Sequence, residues 1–181
     1  GTHGLLLAAG GGSRMGTPKA LVDDWLRRGV AALSDGGCAA VTVVLGAAAG
    51  EALRLLDGLP VEVVVAEDWA DGMGASLRAG LEALTEATPP PEAALVSLVD
   101  LPDVGPDVVR RLLAVATDVT TLRRAAYAEG PGHPVLLGRD HWVGVAAAAT
   151  GDRGARDYLA GREVDVVDCS DLATGRDVDA R

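Results

Sequence analysis

The chain has 181 residues, 49% of them hydrophobic and 23% charged, a balance that predicts one compact domain over residues 1–181. A net charge of −10 argues against a nucleic-acid or anionic-membrane surface, which needs a basic footprint, and 3% aromatics with no Phe disfavour a base-stacking platform. No apolar run reaches the roughly 18 residues of a membrane span, no basic-then-apolar leader opens the chain, and Cys38 and Cys169 have neither metal nor redox spacing, so the expectation is a cytoplasmic protein.

In chain order, the Val/Leu/Ala runs at 4–9, 41–45, 61–65 and 94–99 predict buried strands, and amphipathic helices at 25–34, 51–56 and 75–86 alternate with them. Asp23 or Asp24 can cap the first helix and Gly36-Gly37 can end it, while Leu77, Leu81 and Leu84 form a stripe at helical spacing. Pro89-Pro90-Pro91 gives a stiff entry to the fourth strand, and Pro106 suits the first turn of a helix reaching residue 116. The remaining pattern predicts a strand within 120–127, a short one at 134–137, helices at 140–149 and 154–160, and a last strand at 164–167. This alternation predicts an α/β fold, a Rossmann-like doubly wound, mostly parallel sheet with helices on both faces. Such sheets bind ligands where the strand order reverses, outside the carboxyl ends of the strands. With the first strand central and the fourth beside it, the loops after Ala9 and Val99 face each other at that point.

Those loops carry the unusual residues. The first reads Gly10-Gly11-Gly12-Ser13-Arg14-Met15-Gly16-Thr17-Pro18-Lys19 and follows a strand directly. Glycines there let backbone N–H groups approach a phosphate chain, Arg14 offers a planar fork and Lys19 a point charge. An ordinary turn rarely needs that composition. Gly11 and Gly16 have Walker A spacing, but Thr17-Pro18 stands where Lys-Ser/Thr is required. Gly10 and Gly12 open a GxGxxG, yet Met15 occupies the third glycine position, and strand two ends in Leu45-Gly46-Ala47 without the acidic residue that grips a ribose. The second loop, Val99-Asp100-Leu101-Pro102, sets a carboxylate at a strand end, where a metal bridging substrate phosphates would sit. Asp103 or Asp107 is better spaced than Asp100 to cap the next helix. Ser76 lies near a helix start with free N–H groups. Trp25 and Trp142 read as core, Met73 as a gap-filler, His141 as surface or packing, and Arg123-Arg124 as a solvated strand face. His133 before Pro134 reads equally as a turn residue or a ligand contact.

Leu6-Leu7-Ala8-Ala9-Gly10 through Ser13-Arg14-Met15-Gly16 to Lys19, with Val99-Asp100-Leu101-Pro102, resembles the nucleotidyltransferases of molybdenum-cofactor maturation, and within them the molybdopterin cytidylyltransferases. Gly72-Met73-Gly74-Ala75-Ser76-Leu77, Gly132-His133-Pro134-Val135-Leu136, Gly151-Asp152-Arg153-Gly154-Ala155-Arg156 and Asp177-Val178-Asp179 agree in order. The resemblance departs between Lys19 and Trp25, where the loop is short and carries Asp23-Asp24 in place of a glycine-containing stretch. It implies an NTP bound over Leu7, Ala8, Ala9, Gly10, Gly11, Gly12, Ser13, Arg14 and Lys19, with Ser76 on the base or ribose. It further implies Mg²⁺ held by Asp100 and Asp179, and a phosphorylated acceptor, molybdopterin, against Gly132, His133, Pro134 and Arg156. Arg14, Lys19 and Asp100 would carry catalysis. Leu-Ala-Ala-Gly, against the Leu-Ala-Gly-Gly of the guanylyl branch, implies CTP, the Ala9 methyl taking space near the base. Two other readings stand beside this one: another NTP with a different phosphorylated acceptor, and a nicotinamide-dependent reductase of heterocycles, as some proteins of similar sequence are described. A carrier serving a molybdoenzyme or its chaperone is the non-enzymatic alternative.

Overall fold

The structure, a computed structural model, describes residues 1–178. Its strands are β1 (Thr2–Ala8), β2 (Ala40–Leu45), β3 (Glu62–Val65), β4 (Ala93–Leu98), β5 (Leu122–Tyr127), β6 (Gly130–Gly138) and β7 (Asp165–Asp168). The helices are α1 (Trp25–Asp35), α2 (Ala49–Leu55), α3 (Met73–Thr85), α4 (Pro106–Leu113), α5 (Trp142–Ala148) and α6 (Arg156–Leu159). They form one seven-stranded sheet in the order β3-β2-β1-β4-β6-β5-β7. β1 is central and parallel to β2 and β4, so the strand order reverses between β1 and β4 as expected.

Alternation along each strand divides the core. Leu6, Ala8, Val43, Leu45 and Leu95 pack on one face with α1, α2 and α4, while Leu5, Leu7, Val44, Val96 and the Leu77/Leu81/Leu84 stripe pack on the other with α5. Both faces of β1 are therefore covered, which is why its sequence is an unbroken apolar run. Trp25 and Trp142 are core residues. Among the described residues no helix is long and apolar enough to cross a membrane.

Five expectations are corrected. The strand expected at 134–137 is the second half of β6, which begins at Gly130 and runs antiparallel to both β4 and β5. Gly130, at φ 123°, supplies the left-handed turn that an L side chain rarely adopts, so β5 and β6 close as a hairpin and His133 lies in a strand, not a turn. Arg123 is no solvated residue: only 2% exposed, it donates to the carbonyls of Leu112 and Ala116 and to Thr117 Oγ1, closing the end of α4. Asp24 occupies the N-cap of α1 without a side-chain cap bond, while Asp23 bends the short loop before it at φ 44°. Asp103 does not cap α4; its carboxylate accepts from Thr174 N, Thr174 Oγ1 and Gly175 N and so anchors the C-terminal segment. These bonds hold the Asp103 carboxyl below its ordinary range against the opposing effect of burial, the largest single influence.

Candidate active site

The crevice between β1 and β4 opens into a pocket of about 340 Å³. Its floor is Leu7 of β1 with Ala9 just beyond that strand, and Leu98 at the end of β4 with Val99 and Asp100 just beyond it; Gly10, Gly11, Gly12, Ser13 and Lys19 form one wall. The opposite wall is the start of α3, with Gly72, Met73 and Ser76, and Trp69, Ala70 and Asp152 complete the rim.

The glycine-rich loop folds back on itself. Met15 and Gly16 donate their N–H groups to Gly12 O, both at 2.9 Å, and Lys19 N–H donates to Gly10 O at 3.3 Å. Among the described residues, the N–H groups of Gly11, Gly12 and Ser13 have no backbone acceptor, so three donors remain beside the pocket for a ligand. Gly12 is required by geometry: φ is 64°, and a Cβ would lie 1.9 Å from Thr17 O. Trp69 fixes the other side of the loop, its ring 3.0 Å from where a Cβ on Gly11 would stand and its Cβ 2.5 Å from one on Gly46.

Lys19 and Asp100, 81 positions apart, meet in this pocket: Lys19 Nζ donates to Asp100 Oδ2 at 2.6 Å, with the side chains 21% and 9% exposed. Val178 N–H donates to Asp100 O at 3.0 Å, tying the anchored C-terminal segment to the same loop. Asp100 is a hard oxygen donor at a strand end, and Mg²⁺ is commonly held by one or two carboxylates together with substrate phosphates, so the residue fits a cation shared with a ligand. Among the described residues no three His, Cys, Asp or Glu side chains gather as a metal cage. Asp179 lies outside the described residues.

The other predicted positions divide. Ser76, 4% exposed, lines the pocket at the start of α3. Ala8 turns away into the core on the α1 face. Arg14 is exposed on the outer part of the loop and does not line the pocket. Gly132, His133 and Pro134 lie in β6, and Arg156 is exposed at the start of α6; none lines the pocket. Because β6 is antiparallel to β4, its first half nonetheless runs to the end of the sheet where Asp100 sits. Tyr127 Oη donates to His133 O at 2.6 Å. Burial, and then the Arg124 guanidinium nearby, push the His133 imidazole down to about 4, so it is neutral at physiological pH.

Sequence reasoning missed Trp69 and Asp152 and read Met73 as filler. Asp152 belongs to the turn that packs on the start of α3: Gly74 N–H donates to Gly151 O at 2.8 Å and Met73 N–H to Asp152 Oδ1 at 3.4 Å. A Cβ on Gly72, at φ 105°, would come within 2.6 Å of Gly151 O, so glycine there permits this closure of the rim.

Residues 4–166 match the family model described as the MobA-like NTP transferase domain. A nicotine blue oxidoreductase of Paenarthrobacter nicotinovorans is 38% identical, the match covering 97% of this chain and 91% of that protein. Rv0371c of Mycobacterium tuberculosis H37Rv superposes with a TM-score of 0.80 at 28% identity, covering 99% of this chain and 93% of its own; it has also been solved in complex with manganese, with a TM-score of 0.74 to this chain. A nucleotidyl transferase of Methanothermobacter thermautotroptrophicus superposes with a TM-score of 0.71 at 27% identity over 84% of this chain and 78% of its own.

Proposed function

The chain belongs to the MobA-like NTP transferase family and is a nucleotidyltransferase, and from that premise we propose that it transfers CMP from CTP to molybdopterin with release of pyrophosphate. The observation that carries the reading is the meeting of Lys19 and Asp100 across the β1–β4 crevice, beneath a loop that offers three backbone N–H groups. A triphosphate needs such an arrangement because the protein as a whole, at −10, repels it.

The proposed chemistry requires no protein nucleophile. A phosphate oxygen of the acceptor attacks the α-phosphorus of CTP, a P–O bond forms, the bond to the bridging oxygen breaks, and its electron pair leaves with pyrophosphate. Catalysis is then positioning and charge neutralisation. Lys19 releases Asp100 and turns to the phosphates, while the Gly11, Gly12 and Ser13 N–H groups receive phosphate oxygens. Ser76 holds the ribose or base, and Arg14 closes on the outgoing pyrophosphate. Asp100, with Asp179, would hold Mg²⁺, which supplies charge neutralisation at the phosphates when bound; the manganese complex of the mycobacterial relative supports a divalent cation here. Ala9, 3% exposed on the pocket floor, narrows the base end in favour of cytosine. Gly132, His133, Pro134 and Arg156 form the acceptor side.

A second reading is favoured by one observation, the 38% identity to an oxidoreductase: reduction of an aromatic heterocycle by a nicotinamide cofactor on the same fold. Met15 at the third glycine position and the absence of an acidic residue after Leu45 count against a dinucleotide. The two are separated by incubating the protein with Mg²⁺, molybdopterin and each of the four NTPs, and in parallel with NADH or NADPH and heterocyclic acceptors. Pyrophosphate release with CTP supports the transferase; consumption of reduced nicotinamide without it supports the reductase.

A further inference from the structure

Among the described residues three half-buried arginines have no carboxylate partner: Arg78 is bonded to Ala149 O, Arg139 to Pro90 O and Pro91 O, and Arg124 lies in β5. Arg111, Arg123, Arg153 and Arg176 face Asp171, Asp165, Asp157 and Glu129 within 4 Å. Arg124, partly buried in β5, has no carboxylate partner among the described residues; its Nε and Nη2 donate to Gly132 O, each at 3.2 Å. A guanidinium carries five N–H donors, so three remain, distributed over both terminal nitrogens as a fork. Burial pushes the Arg124 guanidinium down, whereas Arg111 and Arg176 are raised, first by their hydrogen bonds to Asp171 and Glu129. A desolvated cation without an anion is costly, and such a position is completed when a ligand supplies the anion.

Its place in the sheet says where that ligand lies. Arg124 pairs with Val135, which pairs with Val96, so all three side chains share the face covered by α3 and α5. Leu98, two residues beyond Val96 on that face, lines the pocket. The bonds to Gly132 direct the guanidinium towards the same end of the sheet, beside neutral His133. β5 stands two strands from β4, a lateral separation of roughly 10 Å.

We infer that Arg124 is a second anion anchor of the site: its free fork holds an anionic group of the acceptor remote from the phosphate that reacts at the Lys19–Asp100 crevice. The acceptor is then a two-ended molecule, its second anion roughly 10 Å from the attacking phosphate. This rests on the transferase reading for the identity of the ligand, and on the sheet register for its position.

Two measurements test it. In the CTP–molybdopterin assay, Arg124→Gln is expected to raise the acceptor KM about tenfold or more while leaving the CTP KM unchanged, and Arg124→Lys to fall between, since charge survives but the fork is lost. An unchanged acceptor KM in a folded Arg124→Gln protein, or an equal rise in the CTP KM, overturns the inference. Wild-type protein that releases no pyrophosphate sinks the transferase reading instead. The second measurement is independent of turnover: inorganic phosphate titrated into the wild-type protein is expected to shift the Arg124 Nε–Hε NMR resonance, and Arg124→Lys, which retains the fold if Gln does not, serves as its assignment control. Phosphate that perturbs the Gly10–Lys19 loop but leaves the Arg124 resonance in place contradicts the anchor.

Discussion

Replacing Asp100 with Asn removes one charge and almost no volume, and the structure says what each property does. The carboxylate is 9% exposed and 2.6 Å from Lys19 Nζ, itself 21% exposed, so neutralising it leaves a largely desolvated ammonium facing an amide. Between the worth of a surface pair and the cost of stranding one member of a buried pair, the loss is about 1–3 kcal/mol, or roughly 2–12 °C in Tm for a chain of this size. Lys19→Met should cost a similar amount, and the double variant less than the sum, because both single changes remove the same ion pair. Turnover should behave differently. Asp100→Asn should lower kcat by about a hundredfold or more, Lys19→Met by about tenfold or more, and the double variant should recover stability without recovering rate. Urea unfolding of the four proteins, with pyrophosphate release for each, completes the cycle. Near-wild-type turnover in a folded Asp100→Asn protein would refute the assignment, and additive stability losses would contradict the ion pair.

Gly12→Ala should disturb the loop and leave the sheet intact, since a Cβ 1.9 Å from a backbone oxygen cannot be relieved by a rotamer change; far-UV circular dichroism should be unchanged while CTP affinity falls about tenfold or more. His133 is neutral in the folded protein, its pKa lowered to about 4 from 6.5. The unfolded chain thus binds the extra proton first, and stability present above pH 6.5 is lost as pH falls towards 4. Because water reaches this partly buried ring, the loss is roughly 2–3 kcal/mol, read as a urea midpoint difference between pH 7 and 4.5 that shrinks in His133→Gln. CTP with Mg²⁺ at a hundred times its Kd should stabilise by about 2.7 kcal/mol, or roughly 5–10 °C, more than GTP and far less without the metal. A larger shift from GTP would move the base assignment to the guanylyl branch.

The sheet was legible because its strands are buried on both faces and its helices carry periodic stripes; both signals are local. The direction of β6 was not, since a short apolar run at Val135–Leu137 has no polarity, although Gly130 after Glu129 was a usable hairpin signal. Arg123 was misread because its partners, the carbonyls ending α4, are supplied only by tertiary packing. In the site, the glycine loop and Asp100 could be read from composition at strand ends. Their closure by the Lys19 ion pair spans 81 positions and leaves no local trace. Trp69 and Asp152 were within reach: Trp69 stands three residues before Gly72 and Asp152 sits in a Gly-Asp-x-Gly turn, and glycines so placed mark a close approach of backbone at the rim.

The central claim is that a nucleotide's α-phosphate becomes bonded to an acceptor at the Lys19–Asp100 crevice. It is tested most directly by incubating the protein with Mg²⁺, molybdopterin and CTP carrying ³²P at the α position, then separating acceptor from nucleotide. The account predicts label in the acceptor fraction with pyrophosphate formed in equal amount, and neither with Asp100→Asn. Label that stays wholly in CTP, in a protein that oxidises NADH with a heterocyclic acceptor, would contradict it.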